Sequence, residues 1–269
     1  TATPLPLRRR DTLSLATEVE VLHLVLDDLH ATPLTGPTGT KGTNGGGGSC
    51  GGLGAGLAAL LGEVHRAQTR LDALRLKLIA TADTTGAAQR DGQATTADWV
   101  ARNTRTPRPE SARDAALATS LAGTGDQPAL DDTRDALADG ALSAAHARVI
   151  AHALTQLPAW VTPDQRTHCE TRLIADAGRY DPTQLRRHAR RILAEIEPDP
   201  HVVDTHENDQ VTAEEDTAYA RARLTFHDNG DGTTTGLFTL PPLQAHILRK
   251  LIDAMTAPRR QQPSNSRPR

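Results

Sequence analysis

Aromatic residues are scarce in this chain. Only 2% of its 269 residues are Phe, Trp or Tyr, against 37% hydrophobic residues overall. A core must therefore be built from Ala, Leu, Ile and Val, which favours close-packed helices over a β-sandwich. Cysteine is almost as rare. Cys50 and Cys169 lie far apart, and neither has a Cys-x-x-Cys neighbour. That excludes a disulfide framework and a zinc knuckle, and a reducing cytosol is the expected compartment. Net charge is only −3, so attraction to nucleic acid would have to come from a local patch. No apolar run approaches the ~18 residues of a membrane span, so no membrane partner is expected. Arg8 to Arg10 are followed by apolar residues broken up by Thr, Glu and Asp, unlike a signal peptide. The chain opens on Thr and closes on a Pro- and Arg-rich run, so a fragment is expected.

What is present is mostly helical periodicity. Leu15, Val19, Leu22, Leu26 and Leu29 form one stripe and predict a helix over 11–30, within an N-terminal segment 1–35. Segment 36–56 is Gly-rich and reads as a flexible linker. Gly46 to Gly51 fits the letters of a dinucleotide fingerprint but follows no strand. Gly36 to Gly42 has the wrong order for a phosphate loop, and both are rejected.

A long helix follows from Leu57 to Asp83. Leu57, Val64, Leu71 and Leu78 repeat every seven residues, with Leu60, Ala67 and Leu74 between them. This seam can pack on the first helix, which the long loop permits, or on a second copy in a homodimer. A short helix capped at Thr95 or Thr96, a turn over 103–109 and a helix over 110–121 have the order of a DNA-reading unit. An ordinary helix pair with a Pro-containing connection is the favoured reading. Early in the second helix only Ser111, Arg113 and Asp114 are polar enough to read bases, and Asp114 would repel phosphate.

The densest pattern runs from Asp139 to Glu197. Ser143 caps a helix on which Leu142, His146, Ile150, Ala153 and Leu157 share a face. That makes His146 a core histidine with a hydrogen-bonding partner rather than a ligand. Thr162-Pro163-Asp164 starts a further helix. Asp181-Pro182 starts the last one, through Glu197. Its apolar face is Leu185, Ala189, Ile192 and Ile196, and Arg186, Arg187, Arg190 and Arg191 spread over the opposite face. Those four arginines are the candidate nucleic-acid-binding residues. The competing reading is a solvated face paired with neighbouring acids.

Segment 198–218 is acidic and aperiodic, and reads as a linker. His201, His206, Asp204 and Glu207 match no metal-site spacing there. Segment 219–258 reads as a β-hairpin around Asp228-Asn229-Gly230-Asp231-Gly232, then a helix opened by Pro241-Pro242. Segment 259–269 reads as a disordered tail. The fold class is thus mainly α, a multi-helix bundle with a C-terminal β-hairpin followed by a helix. The bundle proper is expected over 57–197.

Three segments carry a resemblance. They are Asp139-Gly140-x-Leu142-Ser143-x-x-His146-Ala147-Arg148-Val149-Ile150-Ala151, Asp181-Pro182-x-x-Leu185-Arg186-x-x-Ala189-Arg190-Arg191, and Leu237-x-x-Leu240-Pro241-x-x-x-Ala245-x-x-Leu248. In this order they resemble the actinobacterial domain-of-unknown-function family 222, also called 13E12-repeat proteins, from about Leu57 to Pro258. The resemblance implies the front part of an HNH endonuclease-like protein. The nuclease signature would be a Cys-x-x-Cys pair, a His-His dipeptide, and a later Asn and His. None occurs in this sequence. No catalytic residue, metal ligand or cofactor is therefore assigned, and a divalent ion would belong to a nuclease module outside this chain. The expected function is a non-catalytic, DNA-associating region. The alternative is a helical protein–protein interaction module that binds no nucleic acid.

Overall fold

The computed structural model describes residues 12–31, 50–125 and 127–256. Residues 1–11, most of the expected Gly-rich linker and the expected tail lie outside them. The described chain is mainly helical: it has eleven α-helices, the last of which follows one two-stranded antiparallel hairpin. It divides into two units, 1–63 and 64–269.

The first unit holds α1, Thr12–Ala31, and the start of α2, Cys50–Thr84. α2 begins seven residues before the expected Leu57, inside the glycines assigned to the linker. Extending an existing helix is much easier than nucleating one, so a long helix can propagate through poor formers. On α1, Leu15 and Leu22 are half-buried, while Val19, Leu26 and Leu29 stay exposed. The expected seam of α2 is open as well. Leu57 is 51% exposed, and Val64, Leu71 and Leu78 in the second unit are 55%, 41% and 50% exposed.

In the second unit α2 uses a different face. Thr69, Leu76, Ile79 and Ala82 are buried. The helices that follow are α3 (Ala87–Arg90), α4 (Thr96–Thr104), α5 (Arg108–Ala122), α6 (Asp131–Ala138), α7 (Ala144–Thr155), α8 (Pro163–Ala177) and α9 (Pro182–Ala189). α7 is the hub. It packs against α5, α6, α8 and α9, and buries Ala147, Val149, Ile150, Ala151, Ala153 and Leu154. The largest wholly buried side chains around it include Leu137, Leu173, Leu185 and Leu193. No Phe, Trp or Tyr is fully buried among the described residues, and Trp99 and Tyr180 pack partly buried against the core. Helices lined by Ala and Leu approach closely, and one contact shows the limit. Gly140 has φ +76°, and a Cβ there would lie 2.5 Å from Arg66 Cγ and 2.9 Å from its carbonyl oxygen. Only glycine fits.

The helix starts are local and strong. Ser143 Oγ accepts from the His146 N–H, and Thr162 with Gln165 forms a capping box. Asp181 accepts from the N–H groups of Thr183 and Gln184, with Pro182 at the first helical position. α6 has no cap of its own, since Leu130 precedes it. A distant residue supplies it: buried Glu170 of α8 accepts from Thr133 N at 2.8 Å and from Thr133 Oγ1 at 2.7 Å.

Two expectations fail. The helix from Asp181 does not reach Glu197. It stops at Ala189, and a 3₁₀ turn over Ile192–Glu195 follows. Segment 198–218, expected as a linker, is α10, Pro200–Ala220. Asp199 caps it through the His201 N–H, with Pro200 at the first helical position. The hairpin pairs β1, Arg223–Asp228, with β2, Thr234–Thr239, in register Arg223↔Thr239 to Asp228↔Thr234. Gly230 and Gly232 supply the positive φ values of its turn. α11, Pro242–Thr256, completes the described chain. Leu243, Ile247, Leu251, Ile252 and Met255 on α11 remain exposed, as do Phe226 and Leu237 on the hairpin.

Candidate nucleic-acid interface

The early end of α9 divides the four candidate arginines into two pairs. Leu185 and Ala189 are buried and fix the helix against α7. Arg186 and Arg187 then project from the last turn, where positive charge complements the helix dipole. Both are exposed. Arg186 has no ion pair among the described residues, while the charge of Arg187 reaches the Asp181 carboxylate. That carboxylate titrates below its usual range, chiefly through the Gln184 N–H, then the Thr183 N–H, with smaller contributions from His146 and Arg187.

Arg190 and Arg191 lie past the helix and meet the acids of α10. Arg190 Nη2 donates to Glu214 Oε2 at 2.6 Å. Arg191 donates to Glu207 Oε2 and to Asp204 Oδ1, each at 2.9 Å. Four arginines on one open face are therefore not observed. Two are open, and two are held by carboxylates.

A groove of about 510 Å³ lies between α7, α9 and α10. Arg148 and His152 of α7 line it with Gln156 just past that helix, Arg186 of α9 with Arg190 just past it, and Gln210 and Glu214 of α10. Arg148 is anchored from behind. Its Nη2 donates to Asp114 Oδ1 at 2.6 Å, and Arg75 Nη2 approaches Asp114 Oδ2 at 2.8 Å. The Arg75 approach lacks hydrogen-bonding direction, so it is a charge contact, weaker than the Arg148 bond. One carboxylate between two guanidiniums leaves one positive charge, and Arg186 adds another. Arg190 and Glu214 cancel. The groove is thus mildly basic in a chain that is slightly acidic overall.

Other candidates fall to architecture. His146 Nε2 donates to the Tyr180 carbonyl at 2.9 Å, and its Nδ1 lies 2.7 Å from Ser143 Oγ. A carbonyl can only accept, so the proton sits on Nε2 and both ring nitrogens are engaged. Cys169 is buried, and burial pushes its thiol up to about 11. A thiol so protonated is a poor nucleophile at neutral pH. On α5, Ser111 is buried against Thr106 of the preceding turn, and Asp114 is buried as described. Arg113 is exposed, but its Nε donates to the Pro109 carbonyl. α5 offers no reading face. Asp204 and Glu207 serve Arg191, and His206 bonds Gln210. Among the described residues no group of three metal-ligating side chains converges, and no helix is long and apolar enough to cross a membrane.

The structural roles of Asp114 and Glu170 carry no mark in the sequence. Their partners lie 34 and 37 residues away along the chain. The position of α10 was marked, because Asp199-Pro200 repeats the start signal of Asp181-Pro182.

The fold is thus a helical domain around α7, closed by a hairpin and a helix, with a small basic groove. Residues 58–269 match the family described as "Domain of unknown function (DUF222)", and the chain belongs to it. Comparison with curated proteins and with solved structures found no match.

Proposed function

We propose that this chain is the non-catalytic region of an HNH endonuclease-like protein and that it associates with DNA through the α9 end of the groove. One observation carries the reading: Arg186 is exposed, has no carboxylate partner among the described residues, and stands beside Arg148 and Arg190 at a groove. Guanidiniums placed this way suit phosphate oxygens, which they contact without regard to sequence. Arg187, Arg190 and Arg191 belong to the same surface, the last two when α10 releases them. A cytosolic setting is part of the reading, supported by a buried free thiol at Cys169. Any divalent ion would belong to a nuclease module outside these residues. The test is binding to a short duplex by fluorescence anisotropy at several salt concentrations. Loss of salt-dependent binding in Arg186→Ala/Arg187→Ala is expected, and unchanged binding removes this surface from the account.

A second reading has its own observation. The seam residues Val64, Leu71 and Leu78 are open, as is Leu57. Leucines at heptad spacing on an uncovered helix suit a partner helix, including a second copy of this chain. Light scattering over a range of concentrations tests it. A strict monomer excludes the homodimer through Leu57–Leu78.

A further inference from the structure

We infer that α10 is an internal mimic of a phosphate backbone, and that it competes with DNA for Arg190 and Arg191. This rests on the DNA-associating reading and adds a regulator to it. α10 carries six carboxylates and no lysine or arginine. Three of the six, Asp204, Glu207 and Glu214, meet the two arginines, and each arginine donates at 2.6–2.9 Å. That is the geometry in which a guanidinium holds a phosphate oxygen.

The attachment is light. Val203 is the one buried side chain of α10. The ion pairs are exposed: Arg190 is 38% and Arg191 53% accessible. Exposed pairs contribute little to stability and are screened by salt. Exchanging carboxylate for phosphate at these positions therefore costs the fold little. Glu214 also lines the groove beside Arg190 and Gln210, so its departure widens the path from Arg186 to Arg190. In the closed state the basic surface is Arg186 and Arg187. In the open state it gains Arg190 and Arg191.

The test uses the full chain and a 20-base-pair duplex, with anisotropy measured between 50 and 200 mM salt. Asp204→Asn/Glu207→Gln/Glu214→Gln removes the three pairing charges and keeps side-chain size. Asp209→Asn/Glu215→Gln/Asp216→Asn removes three charges from the same helix without touching either arginine. Far-UV circular dichroism confirms that both variants keep their helix content. The first variant is expected to bind about tenfold tighter at low salt, with a log–log salt slope steeper by about 1.8, the release expected for two further phosphates. The second is expected to keep the wild-type slope. If the first variant binds with wild-type affinity and slope, the mimicry is overturned and the DNA reading stands. Equal gains in both variants overturn it too, since a general charge effect then suffices. If no form binds duplex, the DNA reading fails and the mimicry falls with it.

Discussion

Replacing Asp114 with Ala removes the carboxylate on which Arg75 of α2 and Arg148 of α7 converge from two sides of α5. Asp114 is 5% exposed, so the site is internal on the acidic side. Stripping one partner from a fully buried ion pair costs about 3–5 kcal/mol, because an unpaired charge stays inside. Here the two arginine side chains are 36% and 37% exposed and can turn toward water. The expected loss is therefore about 2–3 kcal/mol, of which one charge-assisted hydrogen bond accounts for roughly 1.5–3. For a unit of this size that lowers the melting temperature by about 4–12 °C. Urea unfolding followed by circular dichroism reads the free energy directly. Asp114→Asn keeps an acceptor for Arg148 and should recover about half of the loss, as neutral hydrogen bonds are about half as strong. In a double-mutant cycle Asp114 should couple more to Arg148 than to Arg75, since only Arg148 meets it with hydrogen-bonding direction. A loss below about 0.5 kcal/mol, the range of ordinary surface changes, would refute the role of Asp114 as the joint between α2, α5 and α7.

Three further outcomes follow from the same reasoning. Glu170→Ala leaves two donors of Thr133 unpaired at the start of α6, and should cost about 1–3 kcal/mol in urea unfolding; a neutral result would mean that water caps α6 instead. His146→Ala removes the bonds to Tyr180 and Ser143 and should lower stability by about 1–2 kcal/mol, with duplex binding unchanged; a change in binding at unchanged stability would give His146 a functional role. The Cys169 thiol is held protonated to about 11 by burial, against an ordinary value of 9.0. The unfolded chain ionises first, so this thiol's contribution is complete below about 9 and lost as pH rises toward about 11. Wild type minus Cys169→Ala, compared at several alkaline pH values, should show that decline, and a flat difference would contradict it.

The legible parts of this fold were the ones written within a few residues. Ser143, Thr162 and Asp181-Pro182 each satisfy backbone donors two or three positions away. The Asn-Gly and Asp-Gly turn likewise closes its hairpin locally. α10 shows the opposite case. It has a clear start signal, but its apolar pattern is too sparse to show a buried face. Its contacts with Arg190 and Arg191 span 13 to 24 residues of chain. The same tertiary pairing explains why the arginine face was only half legible. Helical counting placed all four guanidiniums together. The helix ends at Ala189 without Gly or Pro, so nothing local announced the break. The heptad of α2 marks a face that stays exposed, because a heptad does not say whether its partner lies in the same chain.

The central claim is that an open pair of arginines gives this domain a phosphate-contacting surface. The salt dependence of duplex binding in wild type and in Arg186→Ala/Arg187→Ala tests it most directly. The account predicts measurable wild-type binding and a log–log slope shallower by about 1.8 in the variant, because two fewer phosphates are neutralised. Identical slopes in the two proteins, or no duplex binding by either, would contradict it.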